Sequence, residues 1–368
     1  MKNLTKIFLL LLTMCLLCSC QKQEGNKADG GKTGKLKVAF VYVGPIGDGG
    51  WSYTHDKGRL AMEKELSFVE TTYIENVPEN ADAERVFTEL CEKGYKLIFG
   101  TTHYMGVMQK VAEKYPDVIF EECTGYETSK NIGIYFGKIE QARYLTGLMA
   151  GKMTKTNKIG YVAAHTIPEV IRGLNAFTLG VRKANPKATV HVVWTHTWYD
   201  PAKEREGAES LVDIGVDIIA QHQDSSAAQQ VAESKGIYSI GYNSDMTSFA
   251  PKAHLTAPVW NWTPFYTKTV KEVYDGKWQT SSYWGDMKDG TVGLAPFGPM
   301  VPEDVKALVE KERQAFIDGK LDVFSGPIKD QDGKERIPKG KSLTYTDKDL
   351  IEMEWLVEGV AGKLPGKK

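Results

Sequence analysis

The sequence has 368 residues, of which 42% are hydrophobic and 25% are charged, and these values are typical of globular proteins. A chain of this length suggests two domains, each large enough to bury its own core. The formal net charge of −1 and the lack of a basic patch argue against nucleic acid as a partner.

The N-terminus has the pattern of a secretory signal. Lys2 and Lys6 precede an apolar run over 7–17, which is too short to cross a bilayer and has the length of a signal-peptide core. The Leu-Cys-Ser-Cys sequence at 17–20 resembles the lipobox of bacterial lipoproteins, in which the last cysteine is acylated. We therefore predict a signal peptide over 1–19, a palmitate-bearing lipid anchor at Cys20 and a flexible tether over 20–35. A plain secretory signal is the alternative.

The folded body opens with a strand, a glycine-rich turn and a helix. The β-branched run over 38–43 predicts a strand that is buried on both faces, and a helix is predicted from Trp51 to Leu66. Ligands bind at the carboxyl ends of strands in open α/β sheets, so we expect the turn over 44–50 to line a ligand site. Asp48 offers an acceptor there and Trp51 a flat apolar face, although Trp51 would also suit a core position. The glycines do not match G-x-G-x-x-G, so no dinucleotide site is predicted.

Strands and helices then alternate, and the pattern restarts near residue 157, which predicts an α/β fold of two doubly wound parallel-sheet lobes joined by a hinge. We assign 36–157 to lobe I with part of 258–290, and 158–253 to lobe II with part of 291–335. The tail over 336–368 is expected to carry one helix, from Asp347 to Ala361, and to pack on the body. Further predicted strands are 68–74, 96–100, 116–121, 132–136, 158–164, 189–197, 217–221 and 238–242. Further predicted helices are 80–93, 105–114, 140–153, 168–184, 202–214, 226–235, 262–275 and 303–319.

Several short motifs together resemble the basic membrane protein family, the substrate-binding lipoproteins of ABC importers whose best-known members bind purine nucleosides. They are the opening strand with its Gly-Asp-Gly-Gly-Trp turn and the segments 158–162, 198–201, 241–245 and 355–360. The resemblance implies a type I periplasmic-binding fold, a small-molecule ligand, a membrane permease as partner and hinge closure around the ligand. It also implies a lipid-anchored protein at the cell membrane that faces the periplasm or the cell exterior, and we expect a monomer.

The family resemblance implies that Trp51 and Trp198 sandwich a base and that Asp48 holds one of its N–H groups. Trp194 and Trp198 share parity along the predicted strand, so a buried Trp194 would leave Trp198 at the carboxyl end, beside the cleft. Polar residues at strand ends are expected to face the same cleft: His103, Tyr104, Gln221, Asp224 and Asn243. Tyr53 and Glu169, near helix starts, are looser candidates. Asp245 is a further candidate, with the cap of a turn as its alternative role.

One departure from the family pattern bears on the ligand. Many nucleoside-binding members carry an aspartate where this chain has Asn243, and an amide is a weaker acceptor for ribose hydroxyls than a carboxylate. The bulk of Trp51 and Tyr53 is also expected to fill ribose space. The sequence therefore favours an adenine-like base over a nucleoside. A sugar is the alternative ligand, since two indoles also suit a pyranose.

No motif for catalysis, a metal or a cofactor occurs in the sequence. There is no H-E-x-x-H, G-x-S-x-G or P-loop, so we expect a binding protein and not an enzyme. A secreted nucleoside-cleaving enzyme and a sensor or adhesin without a transport role are the alternatives. Cys91 and Cys123 are expected to be buried thiols, with a disulfide between them as the alternative.

Overall fold

The structure is a computed structural model that describes residues 34–104 and 106–366. The predicted signal peptide, Cys20 and most of the tether lie outside these residues. No helix in the described part of the chain is long and apolar enough to span a bilayer. The folded body from Leu36 onward forms one compact unit, and the account below concerns that unit.

Lobe I opens with strands and helices in strict alternation, as the sequence pattern predicts. Its elements are β1 (Leu36–Val41), α1 (Trp51–Glu65), β2 (Val69–Ile74), α2 (Asp82–Glu92), β3 (Leu97–Gly100), α3 (Val107–Lys114), β4 (Ile119–Cys123) and β5 (Ile132–Gly137).

Lobe II repeats this pattern after a helix that connects the two lobes. Its elements are α4 (Glu140–Met153), β6 (Lys158–Ala163), α5 (Pro168–Ala184), β7 (Thr189–Trp194), α6 (Pro201–Asp213), β8 (Ile218–His222), α7 (Ala227–Ser234), β9 (Tyr238–Ile240) and β10 (His254–Thr256).

The chain then returns to lobe I and crosses back. The elements that follow are β11 (Pro258–Trp260), α8 (Thr263–Asp275), β12 (Ser282–Gly285), β13 (Val292–Leu294) and α9 (Glu303–Ile317). The last part of the chain adds β14 (Ile328–Lys329), β15 (Glu335–Ile337), α10 (Lys348–Ile351) and β16 (Val360–Ala361). Strand β12 joins the sheet of lobe I, while β11 and β13 pair with each other as an antiparallel ladder.

Each lobe is built on a six-stranded parallel sheet, in the order β12-β5-β4-β3-β1-β2 for lobe I and β10-β9-β8-β6-β7-β16 for lobe II. The predicted α/β fold of two doubly wound lobes is therefore confirmed. Strand order reverses between β1 and β3 in lobe I and between β6 and β8 in lobe II. Ligands bind beside the carboxyl ends of strands at such switch points, so these four strand ends mark the expected site.

The core lies on both faces of each sheet, which explains the continuous apolar strands. On β1, Val38 and Phe40 pack into one buried cluster, and Ala39 and Val41 pack into another. Phe40 stacks on its neighbour Phe99, with ring centroids 4.7 Å apart. Cys91 and Cys123 are buried free thiols, as predicted.

The predicted tail helix over 347–361 is wrong beyond Ile351. The amide of Asn175 pairs with the passing backbone, donating to the Trp355 carbonyl (2.8 Å) and accepting from the Val357 N–H (2.9 Å). These bonds hold that segment in an irregular, non-helical path, and Gly359 has a positive φ of 103°. The segment then adds β16 to the edge of lobe II beside β7.

The strand predicted over 189–197 is shorter than expected, because His196 adopts a left-handed backbone with φ of 58° and β7 ends at Trp194. Trp194 is consequently half-buried at the strand end and is not a mid-strand core residue. Its indole Nε1 donates to the carbonyl of Lys363 in the tail, at 3.2 Å.

Candidate ligand-binding site

A cavity of about 570 Å³ lies between the lobes, beside the carboxyl ends of β1, β3, β6 and β8. This volume is typical of a small-molecule site. The lining from lobe I includes Trp51, Glu79, Thr102, His103, Tyr126 and Trp284. The lining from lobe II includes His165, Glu169, Arg172, Trp198, His222, Asp224 and Asn243, and the tail adds Tyr345 and Ile351.

Trp51 is positioned by the start of α1. The carboxylate of Asp48 accepts hydrogen bonds from the backbone N–H groups of Gly50 (2.7 Å), Ser52 (2.9 Å) and Tyr53 (3.1 Å). Asp48 thus satisfies donors that every helix start leaves unpaired. The indole Nε1 of Trp51 donates to the Thr101 carbonyl at the end of β3, at 2.8 Å. The Gly-Asp-Gly-Gly-Trp motif therefore places the Trp51 indole at the cavity.

The same loop contacts lobe II directly. The Ser244 hydroxyl donates to the Gly49 carbonyl at 2.6 Å, and the backbone N–H of Trp51 donates to the Asp224 side chain at 3.3 Å. Asp224 in turn accepts from the side-chain amide of Asn243 at 2.8 Å. The structure therefore holds the two lobes in contact beside the cavity.

Trp198 lies in the loop between β7 and α6. Asp200 caps α6 by accepting from the N–H groups of Ala202 and Lys203, and Pro201 suits the first helical position. The Trp198 carbonyl accepts from the Asp224 N–H at 3.1 Å, and its ring meets His165 edge to face with centroids 4.9 Å apart. Trp51 and Trp198 thus line one cavity from opposite lobes.

The charged lining is mostly acidic. Glu79, Glu169 and Asp224 line the cavity, and Arg172 is the only lysine or arginine in its described lining. The Nε of Arg172 forms a buried ion pair with Glu140 at 2.7 Å, which neutralises that cation. The cavity therefore offers hydrogen-bond acceptors, and its described lining contains no lysine and no unpaired arginine.

Burial and neighbouring charge set the protonation of several lining groups. Burial raises the pKa of Asp224 well above its usual range, and the nearby carboxylates of Asp48 and Glu204 raise it further. The Glu122 carboxylate, 3.4 Å from His103 Nδ1, raises the pKa of His103. Burial lowers the pKa of His222 to about 4, so His222 is neutral near pH 7.

Six of the residues singled out in the sequence line the cavity together: Trp51, His103, Glu169, Trp198, Asp224 and Asn243. The other five lie elsewhere. Asp48 caps α1, Tyr53 is an exposed residue of α1, and Asp245 is exposed and accepts from Thr247 N. Tyr104 and Gln221 are fully buried. The Tyr104 hydroxyl donates to the Val41 carbonyl, and the Gln221 amide donates to two backbone carbonyls.

Several lining residues escaped the sequence reasoning. Tyr126 follows β4 and His165 follows β6, so the carboxyl-edge rule that pointed to His103 applies to them too. Glu79 lies in the loop between β2 and α2, where the same rule applies. Tyr345 and Ile351 come from the tail, and no pattern in the sequence connects them to the cavity.

Comparison with known proteins agrees with this architecture. The family described as "ABC transporter substrate-binding protein PnrA-like" matches residues 35–320. A purine-binding protein of Brucella abortus is 46% identical over 333 residues, covering 90% of this chain and 94% of that protein. A putative ABC transporter glucose-binding protein of Haloferax volcanii is 40% identical over 343 residues, covering 93% and 84%.

Solved structures show the same fold. A solute-binding protein of an ABC transporter from Aeropyrum pernix superposes with a TM-score of 0.69 at 19% identity, covering 78% of this chain and 92% of that chain. A second solute-binding protein, from Conexibacter woesei, gives 0.64 at 21% identity, covering 78% and 98%. At these identities the likeness establishes the two-lobed architecture alone.

Proposed function

Because this chain belongs to the PnrA-like family of ABC transporter substrate-binding proteins, we propose that it captures a neutral purine, with an adenine-like base preferred, between its two lobes. Proteins of this family act outside the cytoplasm and pass a small-molecule ligand to a membrane permease. The proposal adds the ligand and the residues that hold it.

One observation carries the proposal: the indoles of Trp51 and Trp198 line the same cavity from opposite lobes. A planar base between two aromatic faces gains stacking on both sides, about 1–3 kcal/mol for each stacked base. The 46% identity to a purine-binding protein supports the same ligand class. Because each lobe supplies one of the two aromatic faces, the ligand is stacked on both sides only when the lobes are closed.

The charge of the lining supports a neutral ligand. Glu79 and Glu169 offer acceptor oxygens to the cavity, and purine ring and exocyclic N–H groups are suitable donors. A phosphate group would meet these carboxylates without a free arginine or lysine, since Arg172 is already paired with Glu140. We therefore expect nucleotides to be rejected.

The surroundings of Asn243 support a base over a nucleoside. Its side-chain oxygen accepts from the Trp260 indole N–H at 3.0 Å, and its amide nitrogen donates to Asp224 at 2.8 Å. Both ends of the amide are thus engaged by protein, which weakens its value for ribose hydroxyls. Tyr53, by contrast, lies outside the cavity lining. Its bulk therefore does not fill ribose space and does not favour a base over a nucleoside.

A glucose-like sugar is the second candidate. The Haloferax volcanii relative, named as a putative glucose-binding protein, is 40% identical to this chain. Aromatic faces combined with carboxylates also suit the apolar faces and hydroxyls of a pyranose.

In the proposed cycle, ligand joins the aromatic faces of the two lobes and thereby favours the closed state, whose population rises only through the added contacts. The proposal retains a lipid anchor at Cys20, which would keep the protein close to its permease and raise their effective concentration. We further propose that the protein acts as a monomer and as a carrier without catalysis of its own.

Isothermal titration calorimetry of the purified full chain tests the ligand. The panel is adenine, hypoxanthine, adenosine, adenosine monophosphate and glucose. We expect adenine to bind more tightly than adenosine and the monophosphate to give no heat of binding. Tighter binding of adenosine would overturn the preference for a base, and binding of glucose alone would replace the purine.

A further inference from the structure

The C-terminal strap, defined as residues 341–357, reaches both lobes beside the cavity. Tyr345 lies against lobe I, where its ring centroid is 4.5 Å from that of Trp284 on β12. Beyond α10, Met353, Leu356 and Val357 are buried in the core, and Trp355 and Val357 bond to Asn175 of α5. The match to the family model covers residues 35–320 and ends before the strap begins.

Two strap residues form part of the cavity wall. Tyr345 and Ile351 are half-buried, and both line the cavity together with Trp284. The Tyr345 hydroxyl donates to Glu140 Oε2 at 2.8 Å. Because this hydroxyl is already engaged, Tyr345 offers the cavity mainly the surface of its ring, and Ile351 adds an aliphatic surface.

A buried ion pair fixes these two residues in place. Glu140 Oε1 accepts from Arg172 Nε at 2.7 Å, while its other oxygen accepts from Tyr345. A terminal nitrogen of Arg172 donates to the Ile351 carbonyl at 3.2 Å. Glu140 and Arg172 are 1% and 4% exposed, so this network is held in a low-dielectric environment. The strap is thus attached to α4 and α5 at the junction of the lobes.

We infer that the C-terminal strap sets the size and shape of the ligand, with Tyr345 and Ile351 as specificity-determining residues. This inference rests on the proposed binding role of the cavity. An apolar wall at this side restricts the space beside a stacked ring. Shortening either side chain enlarges the cavity, which weakens a small planar ligand and favours a larger one.

Calorimetry of the full chain with adenine and adenosine as probes tests the strap. We expect Tyr345→Ala to weaken adenine binding at least tenfold and adenosine binding less, so that the preference for adenine falls at least threefold. Ile351→Ala should change the preference in the same direction. Tyr345→Phe keeps the ring but loses the hydrogen bond to Glu140, so it should lose less affinity for adenine than Tyr345→Ala does.

Leu343→Ala is the matched control, because Leu343 packs on the core from the same strap without lining the cavity. Its affinities should stay within twofold of wild type. The inference is overturned if Tyr345→Ala and Ile351→Ala both keep the wild-type affinities and the wild-type preference for adenine over adenosine, with unchanged melting temperatures.

A further arm separates the strap from the choice of purine. If glucose binds and purines do not, the proposed ligand fails, and the strap is tested by the ratio of glucose to maltose affinity in the same variants. If no probe binds, acrylamide quenching of tryptophan fluorescence reports access to the cavity. Stronger quenching in Tyr345→Ala than in Leu343→Ala supports the strap as a wall, and equal quenching overturns it.

Discussion

Gly50 lies where the lobes meet, directly against Asp224. A Cβ at Gly50 would lie 2.6 Å from both the Asp224 Cα and its carbonyl oxygen. These are backbone atoms and cannot move aside as the end of a flexible side chain can. The absence of a side chain at Gly50 is therefore what allows Trp51 and Asp224 to approach each other across the lobe interface.

Gly50→Ala is expected to hinder closure and to weaken ligand binding at least tenfold while the fold persists. Gly47→Ala is the matched control in the same loop, because a Cβ there meets no atom within 4 Å. Calorimetry with adenine compares the two variants. Equal affinities would show that this contact does not control closure.

Glu121 on β4 makes stability depend on pH. Burial raises the pKa of Glu121 to about 8 from its ordinary value of 4.5. Between those pH values the folded state keeps a proton that the unfolded state releases, so stability falls as pH rises, by at most about 1.4 kcal/mol per pH unit.

Glu121→Gln should remove this part of the pH dependence, because an amide does not titrate. Urea unfolding between pH 5 and pH 8 measures it, with Glu310→Gln, at an exposed residue, as the control. Parallel stability profiles for wild type and Glu121→Gln would contradict the expectation.

At the scale of elements, the start of α1 depends on Asp48. Its carboxylate pairs with three backbone N–H groups in a buried setting. Asp48→Ala should cost about 1–2 kcal/mol in the free energy of unfolding, since the cap is lost and the donors stay buried. Asp245→Ala, which removes an exposed turn acceptor, should cost less than about 0.5 kcal/mol. Urea unfolding distinguishes them, and equal losses would refute the capping role.

The elements themselves follow well from sequence, because apolar strands and amphipathic helices alternate with clear spacing. The direction in which polar side chains point near strand ends cannot be predicted from the sequence in this way. Gln221 and Asp224 are three residues apart, yet Gln221 turns into the core toward Gln229 while Asp224 reaches the cavity. Which one faces a ligand depends on partners far away in the chain, and the same is true of Tyr345 in the tail.

At the scale of the whole molecule, the Glu140–Arg172 pair joins α4, α5 and the tail at the lobe junction. Arg172→Met should destabilise the protein by roughly 3–5 kcal/mol, because it leaves a buried carboxylate without its partner. Arg313→Met breaks an exposed pair with Glu310 and should cost less than about 1 kcal/mol. Urea unfolding compares the stabilities of the two variants. If both lose less than about 1 kcal/mol, the Glu140–Arg172 pair does not stabilise the lobe junction as proposed.

Calorimetric titration of adenine into wild type and Trp198→Ala tests the central claim, capture of a purine between aromatic faces of the two lobes. Trp194→Ala is the control, since Trp194 is a half-buried tryptophan four residues away that does not line the cavity. We predict tight binding to wild type and to Trp194→Ala, and at least a tenfold loss in Trp198→Ala. Binding of adenine that is insensitive to Trp198, or no binding to the wild type, would contradict the purine sandwich.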